Sequence, residues 1–224
     1  MTYLLVLTDI HGRTRYFKLL ENVVRKHPID LVVIAGDLTY FRGVNSAVDV
    51  LKKLYNVVQK PILFVPGNCD PPDLLNIKKV NEDILNIHVN PVVFHNKVYY
   101  GIGGSNITPF STWIEWSEEE IDKLVSKAYN ISKDDLIMVT HVPINGVMDE
   151  INGENVGSVV LKRFLEKHGA LLWITGHLHE YSGYTIVRGT YIVNPGPFMK
   201  GYYALIQVED TSVKISINNL FNQS

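Results

Sequence analysis

Short apolar runs of strand length alternate with amphipathic helical segments along this chain, and no other feature of the sequence constrains its fold as strongly. Three such runs, at residues 3–8, 30–35 and 61–66, are separated by predicted helices at residues 14–27 and 45–58. Apolar runs of this length without a polar face are typical of strands in a parallel sheet that helices cover on both sides. The sequence therefore predicts an α/β fold.

The second half of the chain continues this pattern. Two further apolar strands are predicted at residues 135–140 and 171–175, with a helix near 157–168 between them. Gly169 is suited to the end of that helix because glycine readily adopts the left-handed conformation found there. Residues 183–217 are expected to form a meander of strands.

The middle of the chain has a different pattern. Residues 91–94 and 97–102 predict a β-hairpin. Ser117 is followed by three glutamates, which is the pattern of a capping box at the start of a helix. We therefore expect an insertion near residues 105–130 that interrupts the alternation of strands and helices.

Composition restricts the class of protein. Hydrophobic residues make up 46% of the 224 residues, charged residues 20%, and the formal net charge is −2. These values are typical of a soluble globular protein and do not favour a general nucleic-acid binder. The single cysteine, Cys69, fits a reducing compartment, and no apolar run is long enough to span a membrane. We expect one cytoplasmic domain spanning residues 1–224.

A side chain of a type that binds metals follows each of the five apolar runs. The residues are Asp9, His11, Asp37, Asn68, His141, His177 and His179. If the five strands are parallel neighbours, these side chains meet at one edge, because ligands bind beyond the carboxyl ends of strands in open α/β sheets. The remaining histidines are expected to be structural: His27, His88, His95 and His168.

Seven oxygen and nitrogen ligands are more than one tetrahedral ion needs. They suit two divalent ions about 3.5–4 Å apart that share a bridging carboxylate. A mixture of carboxylate, amide and imidazole without thiolate suits Mn, Fe, Ni, Zn, Co or Mg better than an iron–sulfur site. Of these metals we expect Mn²⁺.

The ordered motifs Asp9-x-His11, Gly36-Asp37, Gly67-Asn68-Cys69-Asp70, His141 and Gly176-His177-x-His179 together resemble the calcineurin-like metallophosphoesterase superfamily. Asn194-Pro195-Gly196 resembles its small single-domain prokaryotic members. The resemblance implies a four-layer α/β/β/α fold, a β-sandwich of two mixed sheets flanked by α-helices. It also implies the metal ligands: Asp9, His11 and His179 for one ion, Asn68, His141 and His177 for the other, and Asp37 as the bridge.

The activity implied by this resemblance is phosphoester hydrolysis with two metal ions. A water that bridges two dications has a lowered pKa, so that a metal-bridging hydroxide attacks phosphorus in line with the leaving oxygen. Asn68 helps to neutralise charge on the phosphoryl oxygens. The predicted catalytic residues are Asn68, His141 and Asp70.

Cys69 departs from the pattern of the family. Many members have His at this position, proposed to protonate the leaving oxygen, and Asp70 is the usual companion of that His. A neutral thiol is a poor acid near pH 7, so we favour Cys69 as a small buried residue over a catalytic thiol. Relatives with Cys here tend to resemble phosphodiesterases more than monoesterases. We hypothesise diester hydrolysis with a weak preference for stable alkyl leaving groups.

Other functions are compatible with these motifs. Some nucleases share them, but such nucleases usually carry an additional DNA-binding domain. The nearly neutral net charge of this chain is also unfavourable for binding along a nucleic-acid phosphate backbone. A relative in the retromer complex resembles this fold yet is a protein-binding scaffold with partly degraded motifs, whereas all seven ligand positions are intact here. The expected partner is a small phosphate ester: cyclic nucleotides, dinucleotide polyphosphates and nucleotide–sugar diphosphates all remain open.

Two segments beside the motifs have alternative interpretations. Residues 105–116 carry Phe110, Trp113 and Trp116 and are expected to form a hydrophobic plug or a homodimer surface. The alternative is a substrate lid in which Trp113 or Trp116 stacks on a base or covers the metals. The loop at 143–157 is expected beside the pocket, and its asparagines (Asn145, Asn152 and Asn155) are expected to have turn roles rather than to bind phosphate.

Overall fold

Two mixed β-sheets packed face to face, with α-helices on both outer faces, make up the structure. It is a computed structural model and describes residues 1–222. The resulting order of layers is α/β/β/α, which confirms the fold class implied by the sequence resemblance.

Four α-helices are present among the described residues: α1 (Phe17–Lys26), α2 (Val44–Val58), α3 (Glu118–Val125) and α4 (Val159–Lys167). None of these described helices has both the length and the apolar character needed to cross a bilayer. The strands of the same part of the chain are β1 (Thr2–Leu7), β2 (Leu31–Ala35), β3 (Ile62–Val65), β4 (Lys79–Asn81), β5 (Ile84–Asn86), β6 (Val92–Phe94), β7 (Lys97–Ile102), β8 (Ser105–Asn106), β9 (Glu115–Trp116), β10 (Leu136–Thr140), β11 (Glu150–Ile151), β12 (Glu154–Asn155), β13 (Leu172–Ile174), β14 (Gly183–Val187), β15 (Thr190–Asn194), β16 (Tyr202–Val208) and β17 (Val213–Asn219).

The two large sheets have seven and six strands. Their orders are β17-β16-β1-β2-β3-β5-β4 and β14-β15-β13-β10-β7-β6. Within the first sheet β1, β2 and β3 run parallel, and within the second β7, β10, β13 and β15 do so. The predicted C-terminal meander is instead divided between the sheets: β14 and β15 form an antiparallel hairpin in the six-stranded sheet, and β16 and β17 form one in the seven-stranded sheet.

Alternating side chains of each central strand enter different layers of the core. In β1, Leu5 and Leu7 pack with α1 and α2, whereas Leu4 and Val6 face the other sheet. This period of two is the geometry of a strand, and both faces are apolar because both are covered. The continuous apolar run noted in the sequence is thereby explained.

The second sheet is covered in the same way on its outer face. Trp173 of β13 and Met138 of β10 lie in a cluster with Phe164 of α4 and Ile121 of α3. A side chain such as Phe or Leu stabilises a protein by about 1.5–3 kcal/mol when it is fully buried, so each outer helix is fixed by several such contributions.

The division of the central strands between two sheets corrects one premise of the sequence argument. The five strands that precede the candidate ligands are not all neighbours in one sheet, because β1, β2 and β3 belong to the seven-stranded sheet and β10 and β13 to the six-stranded sheet. Their carboxyl ends still meet, since the sheets stack with these ends on the same side. Strands β4 and β5 were not predicted.

The predicted turns and caps of the middle region are confirmed. Strands β6 and β7 form the antiparallel hairpin across His95 and Asn96, both of which have positive φ. The Ser117 side chain accepts a hydrogen bond from the Glu120 N–H, and the Glu120 carboxylate accepts one from the Ser117 N–H, which completes the capping box. The helix that follows ends at Val125 and continues as a short 3-10 helix.

Candidate metal centre

Loops at the carboxyl ends of β1, β2, β3, β10 and β13 bring together all seven side chains predicted to bind metal. Two hydrogen bonds join the sheets here: the His177 N–H donates to the Asp9 carboxylate at 3.2 Å, and the His141 ring bonds the Ala35 carbonyl at 2.7 Å. The site therefore lies between the sheets and takes residues from both.

Four of the candidate ligands have an unusual backbone conformation. Asp9, His11, Asp37 and His177 have φ values of 51°, 45°, 52° and 70°, in the left-handed region that residues other than glycine rarely adopt. Such strain persists only where the surrounding structure imposes it, and it is concentrated at functional sites. These loops are therefore shaped to present side chains rather than to minimise backbone energy.

Glycines beside the ligands permit the close approach of the loops. A Cβ atom at Gly67 would lie 2.1 Å from the Asp37 backbone nitrogen, and one at Gly36 would lie 2.4 Å from Nδ1 of His141. Neither position has room for a side chain, because real Cβ atoms do not approach other atoms so closely. Glycine is therefore required before Asp37 and Asn68 for the close approach of the backbone.

Asp9, His11 and His179 form the first group of ligand atoms. Nε2 of His179 lies 3.2 Å from both Oδ1 of Asp9 and Nε2 of His11. Nε2 of His11 lies 3.8 Å from the same Asp9 oxygen. Each residue thus directs one potential ligand atom at a common point.

Asn68, His141 and His177 form the second group. Oδ1 of Asn68 lies 2.9 Å from Nε2 of His141 and 3.0 Å from Nδ1 of His177. His141 is fully buried, and its Nδ1–H donates to the Ala35 carbonyl at 2.7 Å, so Nε2 is the atom that faces the group.

Asp37 connects the two groups. Its Oδ2 lies 3.5 Å from Nε2 of His11 in the first group and 3.5 Å from Nε2 of His141 in the second. Its other oxygen accepts a hydrogen bond from the Cys69 N–H at 2.9 Å, which orients the carboxylate. One carboxylate oxygen is therefore equidistant from both groups.

The donor set and its spacing fit metal ions. Ligands held about 2.1 Å from a common ion stand about 3.0–3.4 Å from one another in octahedral or tetrahedral geometry, close to the distances observed here. Oδ1 of Asp9 is buried and accepts no hydrogen bond of good geometry within the described structure. A buried carboxylate oxygen left without a donor is costly, and a cation at this point would satisfy it.

Charges within the cluster shift several pKa values. Burial alone would raise the pKa of Asp37, but the adjacent His141 and His11 outweigh it and hold that pKa well below its ordinary value. Burial would lower the pKa of His141, but Asp37 and Asp9 raise it to about 9. Burial and the charge of His141 lower the pKa of His177 to about 4. The cluster thus keeps its carboxylates ionised, as metal ligation requires.

Asp70 lies behind the ligand cluster rather than at its surface. It is fully buried, and its carboxylate accepts hydrogen bonds from the N–H groups of Leu38, Thr39 and Gly67 and from the Thr39 hydroxyl. These bonds join the loop after β2 to the loop after β3. Burial and the charge of Asp37 raise its pKa to about 6, with these hydrogen bonds acting in the opposite direction.

Cys69 lines the pocket above the cluster. Its sulfur lies within 4.8 Å of ligand atoms of His11 and Asp37. Burial, together with the negative charges of Asp37 and Asp70, raises the pKa of the thiol well above its ordinary range. The side chain is 7% exposed and belongs to the buried hydrophobic residues, so the group is a neutral thiol in the absence of metal.

Two residues that were not predicted to belong to the site, Thr112 and Glu115, fix the orientation of the Asn68 amide. Its Nδ2 donates to the Thr112 hydroxyl at 2.9 Å, and that hydroxyl donates to the Glu115 carboxylate at 2.6 Å. Because the amide nitrogen is bound to Thr112, the amide oxygen faces His141 and His177. No sequence signal reveals this contact, which joins residues 44 positions apart.

Segment 105–116 divides into two parts with different environments. Trp116 is half-buried, its indole N–H donates to the Gly103 carbonyl at 2.7 Å, and it stacks on His88, which agrees with the predicted plug. Phe110 is 80% exposed and lines the pocket over the candidate ligands. Tyr40 and Phe41, which line the same pocket, were not predicted, although both follow Asp37 in the same loop.

The loop at 143–157 is organised by a buried carboxylate. Asp149 accepts hydrogen bonds from the N–H groups of Gly146 and Gly157 and from the Asn155 amide. Asn152 has positive φ and, with Gly153, forms the turn between β11 and β12. Asn152 therefore has the expected turn role, whereas Asn155 lies in β12 and its amide binds Asp149.

Comparisons with known proteins complete the description of the site. A family model described as calcineurin-like phosphoesterase matches residues 2–181. The chain is 32% identical over 226 residues to the uncharacterised protein MJ1162 of Methanocaldococcus jannaschii, with 96% of this chain and 95% of that protein covered.

Two solved structures share the fold. The protein TT1561 of Thermus thermophilus superposes with a TM-score of 0.78 at 17% identity, over 98% of this chain and 99% of that one. A protein described as a novel archaeal phosphodiesterase superposes with a TM-score of 0.57 at 12% identity, over 97% of this chain and 100% of that one. The family match ends at residue 181, just after His179, so it includes every candidate ligand.

Proposed function

The chain belongs to the calcineurin-like phosphoesterase family, and from this premise we propose that it is a two-metal phosphodiesterase that hydrolyses a small organic phosphate or nucleotide diester. Membership of the family supports hydrolysis of phosphoesters with divalent metal ions. The number of ions, the diester preference and the choice of Mn²⁺ are our proposal.

The position of Asp37 is the observation that carries the two-metal proposal. A carboxylate oxygen 3.5 Å from one histidine nitrogen in each of two ligand groups is placed to bridge two ions. We propose that Asp9, His11 and His179 hold one ion and that Asn68, His141 and His177 hold the other. Bound divalent ions supply Lewis acidity at the phosphoryl group and acidify a water.

The residues of the chain contribute orientation and the exclusion of solvent. Nδ1 of His141 is bound to the Ala35 carbonyl, so Nε2 is the ring nitrogen that would bind a cation in place of a proton. The Asn68 amide is held with its oxygen toward the cluster by Thr112. We propose that Asp70 is a positioning residue, because all its observed bonds fix the loops that carry Asp37 and Asn68.

Two features of the pocket support a diester substrate. The described residues that line it include no Lys or Arg, so no protein cation adds to the metal ions in offsetting the additional negative charge of a monoester dianion. Cys69 occupies the position of the proposed leaving-group acid as a neutral thiol of raised pKa. The structural likeness to an archaeal phosphodiesterase is consistent with this substrate class.

Hydrolysis of bis(p-nitrophenyl) phosphate and p-nitrophenyl phosphate by chelator-stripped protein, with and without added Mn²⁺, tests the proposal. We expect metal-dependent turnover that favours the diester. Asp37→Ala should abolish it, which excludes a contaminating enzyme. Preference for the monoester would contradict the diester proposal, and folded, metal-bound protein without turnover on any ester would favour a scaffold.

The substitution Cys69→His tests whether the site lacks a general acid for the leaving group because residue 69 is a cysteine. Positioned general acids typically contribute 10²–10⁴-fold, so we expect hydrolysis of diesters with poor alkyl leaving groups to rise by about tenfold or more, with little change for p-nitrophenyl esters. The ratio of the two rates is the measurement, and Cys69→Ser is the size-matched control. Unchanged rates on the alkyl esters would contradict the argument.

A further inference from the structure

The pocket above the candidate ligands is lined by polar and by aromatic side chains. Its volume is about 410 Å³, within the range of about 300–1,000 Å³ that is usual for small-molecule sites. The polar lining residues include Asp37, Asn68 and three candidate histidine ligands: His11, His177 and His179. The aromatic lining residues are Tyr40, Phe41 and Phe110, which we call the aromatic wall.

Edge-to-face contacts fix two rings of the aromatic wall in place. Tyr40 lies 5.4 Å from the ring of the candidate ligand His11 and 4.8 Å from the ring of Phe41. Phe41 in turn lies 5.2 Å from Trp113. The wall is therefore continuous with the ligand cluster and supported from behind by Trp113.

Phe110 is presented by a loop that is pinned at several points. Its N–H donates to the Thr108 hydroxyl at 3.2 Å, and the Thr108 hydroxyl donates to Glu115 at 2.6 Å. Farther along, the Trp113 and Ile114 N–H groups donate to the Asn68 carbonyl at 3.0 and 3.2 Å. The segment that carries Phe110 is thus fastened to the backbone of a candidate metal ligand.

The exposure of these rings needs an explanation. Tyr40 is 61% exposed and Phe110 is 80% exposed. Single exposed apolar residues are common, but several that surround one pocket are typical of a binding surface. None of the described residues that line this pocket is Lys or Arg, whereas Arg42 and Lys53 line the neighbouring hollow. The group that binds against the wall should therefore be flat and uncharged.

We propose that the aromatic wall binds the planar aromatic group, such as a nucleobase, of a substrate whose phosphodiester lies at the ligand cluster. This inference rests on the proposed function, since a phosphate at the cluster places one ester substituent in the pocket. Stacking on aromatic side chains is tolerant of base identity, because every base offers a π-face. Phe110 is then a residue that determines specificity rather than a catalytic one.

Two diesters with the same leaving group isolate this contact. The p-nitrophenyl ester of thymidine 5′-phosphate and methyl p-nitrophenyl phosphate both release p-nitrophenol, so their kcat/KM ratio reports the other substituent. We expect a ratio of about ten or more, from base–aromatic stacking of the usual strength. In Phe110→Ala the ratio should fall several-fold, mainly through KM, and Phe110→Trp should restore it.

Tyr184→Leu is the matched control, because Tyr184 is a 52% exposed aromatic residue on strand β14 that does not line the pocket. The ratio should be unchanged in this variant. A third substrate, phenyl p-nitrophenyl phosphate, shows whether any aryl group suffices or a nucleoside is required, and either preference over the methyl ester supports the proposal. Equal kcat/KM for all three esters would overturn it.

A binding measurement separates failure of this inference from failure of the proposed function. Trp113 is 44% exposed beside Phe41, so thymidine 5′-phosphate bound at the wall should quench its emission, whereas ribose 5-phosphate should not. Metal-dependent turnover of the methyl ester without this quenching would overturn the proposed role of the aromatic wall, but it would leave the phosphodiesterase proposal intact. No turnover of any ester would refute the phosphodiesterase itself. A change of oligomeric state in Phe110→Ala with an unchanged ratio would assign the wall to an interface between copies instead.

Discussion

The two halves of the ligand cluster differ in how firmly their side chains are held. We call Asn68, His141 and His177 the inner half and Asp9, His11 and His179 the outer half. In the inner half, His141 is bound to the Ala35 carbonyl and Asn68 to Thr112. In the outer half, Asp9 accepts hydrogen bonds from the Thr8 hydroxyl and the His177 N–H, but the buried Nδ1 of His11 has no hydrogen-bond partner in the described structure, and the His179 side chain is 32% exposed.

This difference predicts unequal metal sites. Partners behind a ligand fix its orientation and tautomer, and their loss typically costs 10–100-fold in metal affinity or activity. The inner half therefore should bind its ion tightly, while the outer half exchanges its ion with solvent. Titration of chelator-stripped protein with Mn²⁺ should resolve two affinities rather than one.

Substitution of the bridging residue Asp37 should reduce activity and metal binding the most, because Asp37 lies close to both halves of the ligand cluster. Asp37→Asn keeps the size of the side chain but removes the negative charge shared by the two groups. We expect kcat to fall by about 1,000-fold or more and the bound metal, measured by equilibrium dialysis and elemental analysis, to fall below two ions per chain. More than a tenth of the original activity would contradict a bridging role.

Two histidines in one loop distinguish the halves directly. His177→Ala removes an inner ligand, and His179→Ala removes an outer ligand two residues away. We expect His177→Ala to eliminate the tight Mn²⁺ binding, and His179→Ala to weaken only the second affinity, by about 100-fold or more, so that excess Mn²⁺ restores activity. Identical titration curves for the two variants would refute the distinction between halves.

Loss of the hydrogen bond between the Asn68 amide and Thr112 should have an intermediate effect on activity. Thr112→Val keeps the shape of the side chain but removes the acceptor of the Asn68 amide, so the amide can rotate its oxygen away from the cluster. We expect about a 10–100-fold loss of kcat, with weaker inner-site binding of Mn²⁺.

Thr108→Val is the matched control for Thr112→Val. The Thr108 hydroxyl also donates to Glu115, but it has no bond to Asn68. An equal loss of inner-site Mn²⁺ affinity in the two variants would show that the loop as a whole, rather than the amide contact, positions Asn68.

The smallest expected effect is a change of the Tm with pH. Asp37 and Asp9 outweigh burial and raise the pKa of His141 from 6.5 to about 9. A raised histidine pKa contributes stability that is complete below the unfolded pKa and is lost as pH rises through the folded pKa. In chelator, the Tm should therefore decline between about pH 6.5 and pH 9. With saturating Mn²⁺ the decline should disappear, because the cation replaces the proton. A Tm in chelator that stays constant over this interval would contradict the assignment.

The ligand cluster could be predicted from the sequence because each ligand is identified by the residues next to it in the chain. Asp9, Asp37 and His141 lie within two residues of the ends of β1, β2 and β10, so the end of the strand fixes the direction of the side chain. The pairing of strands into two sheets was not readable in the same way, since an apolar run indicates burial on both faces but does not identify its neighbours. Strands β4 and β5 were missed because each has only three residues and β4 is mostly exposed.

The aromatic wall and the support of Asn68 depend on contacts distant in sequence. The Asn68–Thr112 bond joins two loops through a single hydroxyl, and threonine in a loop is too common to indicate such a bond. Tyr40 and Phe41 had a usable signal, since they follow Asp37 on the loop that carries it. Aromatic residues three or four positions after a candidate ligand are worth treating as part of the site.

Each ligand group takes residues from both sheets. Asp9 and His11 follow a strand of one sheet and His179 a strand of the other, and the second group is divided likewise between Asn68 and two histidines. Bound ions would therefore cross-link the two layers of the sandwich, as a disulfide cross-links two chain segments. The layers must separate at this end for the protein to unfold, so metal loading should lengthen the lifetime of the folded state and slow its proteolysis.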